Sequence, residues 1–398
     1  MTDAVVVAAA RSPFGKAGRG ALRDVRPDDL LAATIAGALA QVPSLDSAHL
    51  DDLLVGCAVP TDEHGDNIAR RVGVMLGRYD VPGVSVNRFC ASSVQTTRMA
   101  MHAIRSGEGR AFVSAGVDCA SRYLPSKMDR NQIFDAAGAR TAARNEATWT
   151  DPRLEGLLPD VYISMGETAE NVAGRYGVSR REQDEYALLS QQRTGESLAA
   201  GYFDREIVPV TVPDGTVVDR DDCPRLDASL ERMSALTPVF REHGTVTAAN
   251  ACPLNDGAAA LIVVSDDLAR DLGIRPLARV VATSATGLSP EIMGMGPVSA
   301  ITRVLELAGM TTGDVDLFEI NEAFAAQVIP CVRELDLDMD KVNVHGGAIA
   351  IGHPFGATGA RLIGTVINGL GRTGGTIGVV SMCVAGGQGM AVVIERMS

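Results

Sequence analysis

Asp51-Asp52-Leu53-Leu54-Val55-Gly56 is echoed in the second half of the chain by Asp314-Val315-Asp316-Leu317-Phe318-Glu319. Both hexamers run from acidic residues into a short apolar stretch, the pattern of a buried strand. In each half a helical segment follows, then a short strand at residues 84–86 or 342–344, then a turn feeding another helix. That turn holds Cys90 in the first copy and Gly346-Gly347 in the second. A repeat of so long a period implies two duplicated α/β units rather than a solenoid, and their junction is a natural place for a site.

Composition agrees with this architecture. The 398 residues suffice for two or three domain-sized units. Forty-two glycines and only 4% aromatic residues suit short strands packed closely on small-residue helices. Predicted strands fall at residues 4–8, 52–56, 84–86, 110–115, 278–285, 315–320, 341–344, 376–382 and 391–395. Predicted helices cover 28–39, 92–105, 298–308, 323–333 and 358–370. Between the halves the character changes: prolines scatter, the only tryptophan (Trp149) appears, and Ser179 with Glu182 forms a capping box for a helix over 180–198. The expected division is therefore an N-terminal half (1–118, completed by 248–272), an inserted loop or lid domain (119–247) and a C-terminal half (273–398).

The net charge of −13 argues against a nonspecific nucleic-acid binder, and no uncharged apolar stretch reaches the length of a membrane span. The start is acidic and strand-like, without an export signal. Seven scattered cysteines show neither metal-knuckle spacing nor a disulfide framework, so a reducing cytoplasm is expected.

The chemistry concentrates in four segments. Val84-Ser85-Val86-Asn87-Arg88-Phe89-Cys90-Ala91-Ser92 ends an alternating run on a cysteine at a helix start, where the dipole and free N–H groups lower a thiol's pKa and can hold an oxyanion. Asn321-Glu322-Ala323-Phe324-Ala325 sits between a strand and a helix; Gly352-His353-Pro354 lies in a glycine-punctuated loop; Met382-Cys383-Val384-Ala385-Gly386-Gly387 ends another strand. Taken singly, each has a plain reading: a core thiol, a helix cap, a turn histidine, a buried strand-end thiol. A cysteine, a histidine and an asparagine brought to one junction would instead supply a nucleophile and its base.

In their order and spacing these segments resemble the thiolases, over essentially the whole chain. The resemblance implies an α/β thiolase fold of two βαβαβαββ halves, in five α-β-α-β-α layers with an inserted loop domain. It also implies reversible, coenzyme A-dependent cleavage of 3-ketoacyl-coenzyme A. By resemblance Cys90 is the nucleophile that keeps the shortened acyl group as a thioester. His353 activates it and, with a water held by Asn321, stabilises the charge on the thioester oxygen. Cys383 is the acid and base serving the acetyl-coenzyme A carbanion and the incoming thiol. The other oxyanion hole would use the backbone N–H groups of Cys90 and Ala385, the latter standing where the family usually has glycine.

For coenzyme A, Arg225 matches a nucleotide-side arginine, and Met165, Phe240, Ala248 and Met293 match pantetheine-lining positions. Ser164 stands where acetoacetyl-specific members carry histidine, which favours a broader or longer acyl chain, and Cys252 replaces a serine. The resemblance implies no metal or redox cofactor, coenzyme A being a substrate, and a homodimer or homotetramer without nucleic-acid or membrane partners. A biosynthetic acetoacetyl-coenzyme A thiolase and an inactive coenzyme A-binding scaffold are the alternatives.

Overall fold

The computed structural model describes residues 2–123, 130–143 and 149–397. In the first half come β1 (Ala4–Arg11), a short β2 (Gly15–Lys16), β3 (Asp52–Gly56), β4 (Gly83–Val86) and β5 (Ala111–Cys119). A small hairpin of β6 (Val210–Thr211) and β7 (Val217–Val218) lies apart, and β8 (Asn255–Ser265) completes this half. The second half contributes β9 (Ala278–Gly287), β10 (Leu317–Ile320), β11 (Ile377–Val384) and β12 (Gln388–Arg396).

The strands are ordered β4-β3-β5-β8-β1 in the first half and β10-β11-β12-β9 from the opposite edge. β1 therefore occupies the place of β9, β3 that of β10, β5 that of β11 and β8 that of β12. The halves are sewn into one sheet by antiparallel pairing of Val5 with Arg279 and Val6 with Ala278. Side chains alternate across each strand, so each half-sheet buries both faces. Val6, Leu54, Phe112 and Leu261 share a core with Val280, Val380, Met382 and Val392 around two central helices, Ser92–Ser106 and Phe355–Thr373. The alternate residues Val5, Leu53, Val113 and Ile262 face the outer helices Pro27–Ala40 and Ile68–Met75. Phe318, Val379, Ala391 and Val393 face Gly296–Ala308 and Ala325–Glu334. The result is five layers, helix and sheet alternating.

Two strand expectations need correction. Residues 341–344 form a single bridge, Val342 to Phe318, rather than a strand. Asn343 turns into the left-handed region at φ 49°, and its amide accepts from the Ile320 N–H and donates to the Ile320 carbonyl, both at 2.8 Å. One side chain thus replaces the ladder a further strand residue would have made. Conversely, β8 is a strand that no alternation in the sequence announces, since its Ala258-Ala259-Ala260 core is buried on both faces.

The stretch between β5 and β8, of which 124–129 and 144–148 lie outside the described residues, packs helices Met165–Tyr176 and Arg180–Ala199 against the second half. The Ser179–Glu182 capping box is formed.

The central helices sit unusually close to the sheet. A Cβ on Gly116 of β5 would lie 2.0 Å from the Gly356 carbonyl oxygen, and one on Gly359 would lie 2.6 Å from the Val94 backbone nitrogen. Nothing larger than glycine fits there without moving backbone. Gly116→Ala is expected to cost on the order of 1–3 kcal/mol in urea unfolding and to lower turnover as well, because the displaced helix follows directly on His353.

Candidate active site

Cys90 lies in a 3-10 turn, Phe89–Ala91, between the end of β4 and the helix Ser92–Ser106. Phe89 takes φ 45°, a left-handed conformation that costs a non-glycine residue about 1–2 kcal/mol and bends the chain sharply so that the thiol stands on an elbow. The elbow is held by Arg88, whose guanidinium donates to Gln95 Oε1 and Gln388 Oε1, both at 2.9 Å. Gln388 belongs to the second half, so this hydrogen bond ties the Cys90 turn to the loop that follows Cys383.

The expectation of a lowered thiol pKa is overturned. Burial pushes Cys90 up to about 12, with Asp118 adding to the rise. The Ala385 N–H and the residue's own N–H are directed at the sulfur and pull the other way without prevailing. Desolvation by the surrounding protein exceeds the short 3-10 turn's dipole even though Cys90 is only partly buried. The same two N–H groups were expected to hold an oxyanion. Ala385 does not occupy the left-handed region; the positive φ values fall on Gly386 and Gly387. Alanine is therefore sterically tolerated at that donor position.

His353 is buried and held on three sides. Its backbone N–H donates to Asn255 Oδ1 at 2.8 Å, and Gly352 reaches this position at φ 117°, where a Cβ would lie 2.7 Å from the Asn255 amide. The Thr358 hydroxyl donates to the Pro354 carbonyl at 2.7 Å, so its oxygen accepts from His353 Nδ1 at 2.7 Å. That fixes the proton on Nδ1 and leaves Nε2 as the basic nitrogen, which accepts from Asn321 Nδ2 at 3.3 Å. Burial and the positive charge of Arg361 bring the imidazole pKa down to about 3. The resting site is thus uncharged: a thiol and a neutral imidazole.

Asn321 does not cap the next helix, whose N-cap is Phe324. Its N–H continues the β10–β11 pairing to the Ser381 carbonyl, its Nδ2 meets His353, and its buried Oδ1 has no protein partner. That acceptor suits the water anticipated there. Next to it Glu322 anchors the glycine-punctuated loop. Its carboxylate accepts from Tyr186 OH at 2.9 Å, Ser190 Oγ at 2.7 Å, Asn343 Nδ2 at 3.2 Å and the Ile349 N–H at 3.1 Å.

Cys383, near the end of β11, is buried and its thiol is pushed well up, first by desolvation and then by Cys90, Cys331 and Cys252. Cys252 is raised likewise, with Cys90 and Glu322 contributing after burial. Cys90, Cys252 and Cys383 therefore lie close to one another. Cys90 from the first half thus lies near Cys383 from the second, and Asn321 meets His353, at the ends of β4, β10 and β11.

Met293, Phe324 and Cys383 belong to one apolar cluster, with Met165 packed against it. Phe240 stacks edge-on to Phe324 at 6.3 Å. Arg225 donates to the Ala248 carbonyl at 3.1 Å, joining two of the anticipated coenzyme A residues. Ser164 caps the helix Met165–Tyr176 and borders a cavity of about 640 Å³ with Tyr162, Phe240, Arg130 and Arg241. Asn255, Thr358 and Glu322 support the site without having been singled out for a role. The only sequence sign for Thr358 is its position one helical turn beyond Pro354. Among the described residues no cluster of metal-ligating side chains occurs, and no helix is long and apolar enough to cross a membrane.

Residues 4–267 match the thiolase N-terminal domain and residues 274–396 the thiolase C-terminal domain. The chain is 40% identical to a β-ketoadipyl-CoA thiolase of Acinetobacter baylyi, over all of both proteins. It is also 40% identical to a 3-ketoacyl-CoA thiolase of Bacillus subtilis, over 99% of this chain and 100% of the relative. Bacillus anthracis acetyl-CoA acetyltransferase superimposes with a TM-score of 0.88 at 38% identity, covering 100% of this chain and 99% of that one. Human mitochondrial 3-ketoacyl-CoA thiolase in complex with CoA gives 0.86 at 35% identity, covering 100% and 98%.

The buried imidazole has a measurable consequence. Because its folded pKa lies below the usual histidine value of 6.5, its contribution to stability is complete above pH 6.5 and is lost as pH falls toward 3. His353→Gln cannot take up that proton. Its stability loss between pH 7 and pH 4 in denaturant titrations should be smaller than wild type's by roughly 3 kcal/mol.

Proposed function

The chain belongs to the thiolase family, and on that premise we propose how its site performs thiolysis and which acyl groups it accepts. The enzyme cleaves a 3-ketoacyl-coenzyme A with coenzyme A, giving acetyl-coenzyme A and a shortened acyl-coenzyme A. Cys90 gives its proton to His353 Nε2, and the sulfur attacks the 3-keto carbon. The bond between C2 and C3 then breaks, the acyl group stays on Cys90, and Cys383 protonates the departing acetyl-coenzyme A carbanion. Cys383, now a thiolate, takes the proton of the incoming coenzyme A thiol, whose sulfur attacks the thioester. Cys90 leaves and recovers its proton from His353.

Two thiols and a neutral base are well suited to this cycle. Each charge exists only transiently, and the fixed N–H groups of Cys90 and Ala385 are placed to offset it where it develops. Cys90→Ala should abolish turnover and the acetyl adduct that mass spectrometry finds after exposure to acetyl-coenzyme A. Failure of the wild-type protein to acquire that adduct would favour an inactive coenzyme A-binding scaffold.

We assign the degradative direction and acyl chains longer than four carbons. The observation that carries this is the cavity beside Ser164, where acetoacetyl-specific members carry histidine. Relatives named for β-ketoadipyl-CoA act on an acyl group ending in a carboxylate, and Arg130 in the cavity wall suits such an end. Arg130 rests on the Tyr162 ring at 5.3 Å. Specificity constants for 3-oxoadipyl-, 3-oxohexanoyl- and acetoacetyl-coenzyme A should fall in that order. A preference for acetoacetyl-coenzyme A would instead identify the biosynthetic condensing type. We further propose a cytoplasmic homo-oligomer paired through the edge strand β4, whose outer side has no strand partner among the described residues.

A further inference from the structure

Far from the cysteines, at the seam of the two halves, lies a second cavity of about 670 Å³. Its long wall is the C-terminal part of the helix Phe355–Thr373, at Gly364, Ile367, Asn368 and Arg372; Arg205 and Arg396 complete the rim. In a chain of net charge −13, three arginines around one opening stand out. The single carboxylate in the lining, Glu206, is already engaged, accepting from Arg11 Nε at 3.1 Å. Among the described residues Arg205 makes no ion pair, and Arg372 lies over the Tyr202 ring at 5.4 Å, while Arg396, which donates to the Gly375 carbonyl, is already partnered.

Ala9, Glu206 and Gly364 also border an inner space of about 10 Å³, room for one water-sized group. Arg361 borders it too. This guanidinium is fully buried, its Nε and both Nη atoms have no hydrogen-bond partner, and its nearest acid, Glu319, stands 3.8 Å away. Donors left without hydrogen bonds in a protein interior are costly even where, as here, a carboxylate stands within ion-pair range. The outer opening and the inner donors therefore favour the same kind of guest.

We propose that this seam cavity binds a small polyanion bearing carboxylates or phosphates, held at the rim by Arg205 and Arg372 and facing the field of buried Arg361. The site is separate from the coenzyme A groove, and the proposal does not depend on the assigned acyl specificity. It is tested by calorimetric titration of the full-length protein with citrate and with pyrophosphate, at ionic strength matched with sodium chloride. Wild type should bind at least one of the two, and R205Q/R372Q should bind it about tenfold more weakly or worse while keeping normal thiolysis, which certifies its fold. R225Q, altered on the coenzyme A side, should bind as wild type does. Citrate binding alone would identify the guest as a polycarboxylate, and pyrophosphate binding alone as a phosphate ester. Absence of binding by both probes, undiminished binding in R205Q/R372Q, or loss of binding in R225Q would overturn the proposal.

Discussion

The contact of backbone with backbone between Gly116 and Gly356 is the constraint on which the rest of the molecule depends. A duplicated α/β chain has two helices to bury in its middle layer, and both must lie within reach of both half-sheets. That is achieved only where side chains vanish at the crossings, as at Gly116, Gly356 and Gly359. Asp118, at the end of β5, completes the junction by accepting from the Gly356 N–H at 2.5 Å and from the Ala58 N–H at 2.9 Å. Burial raises the Asp118 pKa against the pull of these N–H groups, and the hydrogen bonds pin the helix that follows His353 to the first half.

From this follows the placement of the reactive groups. Each central helix begins at the same end of the sheets, so the turn before one carries Cys90 and the loop before the other carries His353. Parallel pairing of β10 with β11 sets Ile320 beside Ser381, which brings Asn321 and Cys383 to that end as well. The loops are then stiffened by buried polar contacts: four donors on Glu322, the Asn343 amide against Ile320, and Thr358 on His353. Full satisfaction of these buried groups makes such a network rigid.

The electrostatics reverse a simple argument from helix dipoles. A thiol at a helix start is usually acidified, yet Cys90 is raised, because the layers that assemble the site also remove its water. The site answers with an uncharged resting state and a base of defined tautomer. Hydrogen-bond geometry at Thr358, not proximity of charge, decides which imidazole nitrogen can accept a proton.

Much of this was legible in the sequence. The duplicated hexamers, the glycine-punctuated loops and the positions of Cys90, Asn321, His353 and Cys383 are local patterns, carried by spacing and by residues with few alternative uses. The capping box at Ser179 and Glu182 is equally local and forms as read. What the sequence could not determine depends on contacts between distant segments. β8 lacks alternation because neighbours bury both of its faces, and residues 341–344 stop short of a strand because the amide of Asn343 takes over their pairing. The thiol's pKa and the roles of Thr358, Asn255 and Glu322 arise only when the layers close. Spacing along the chain fixes which groups are available; desolvation and hydrogen-bond partners, which exist only in three dimensions, decide their protonation and orientation.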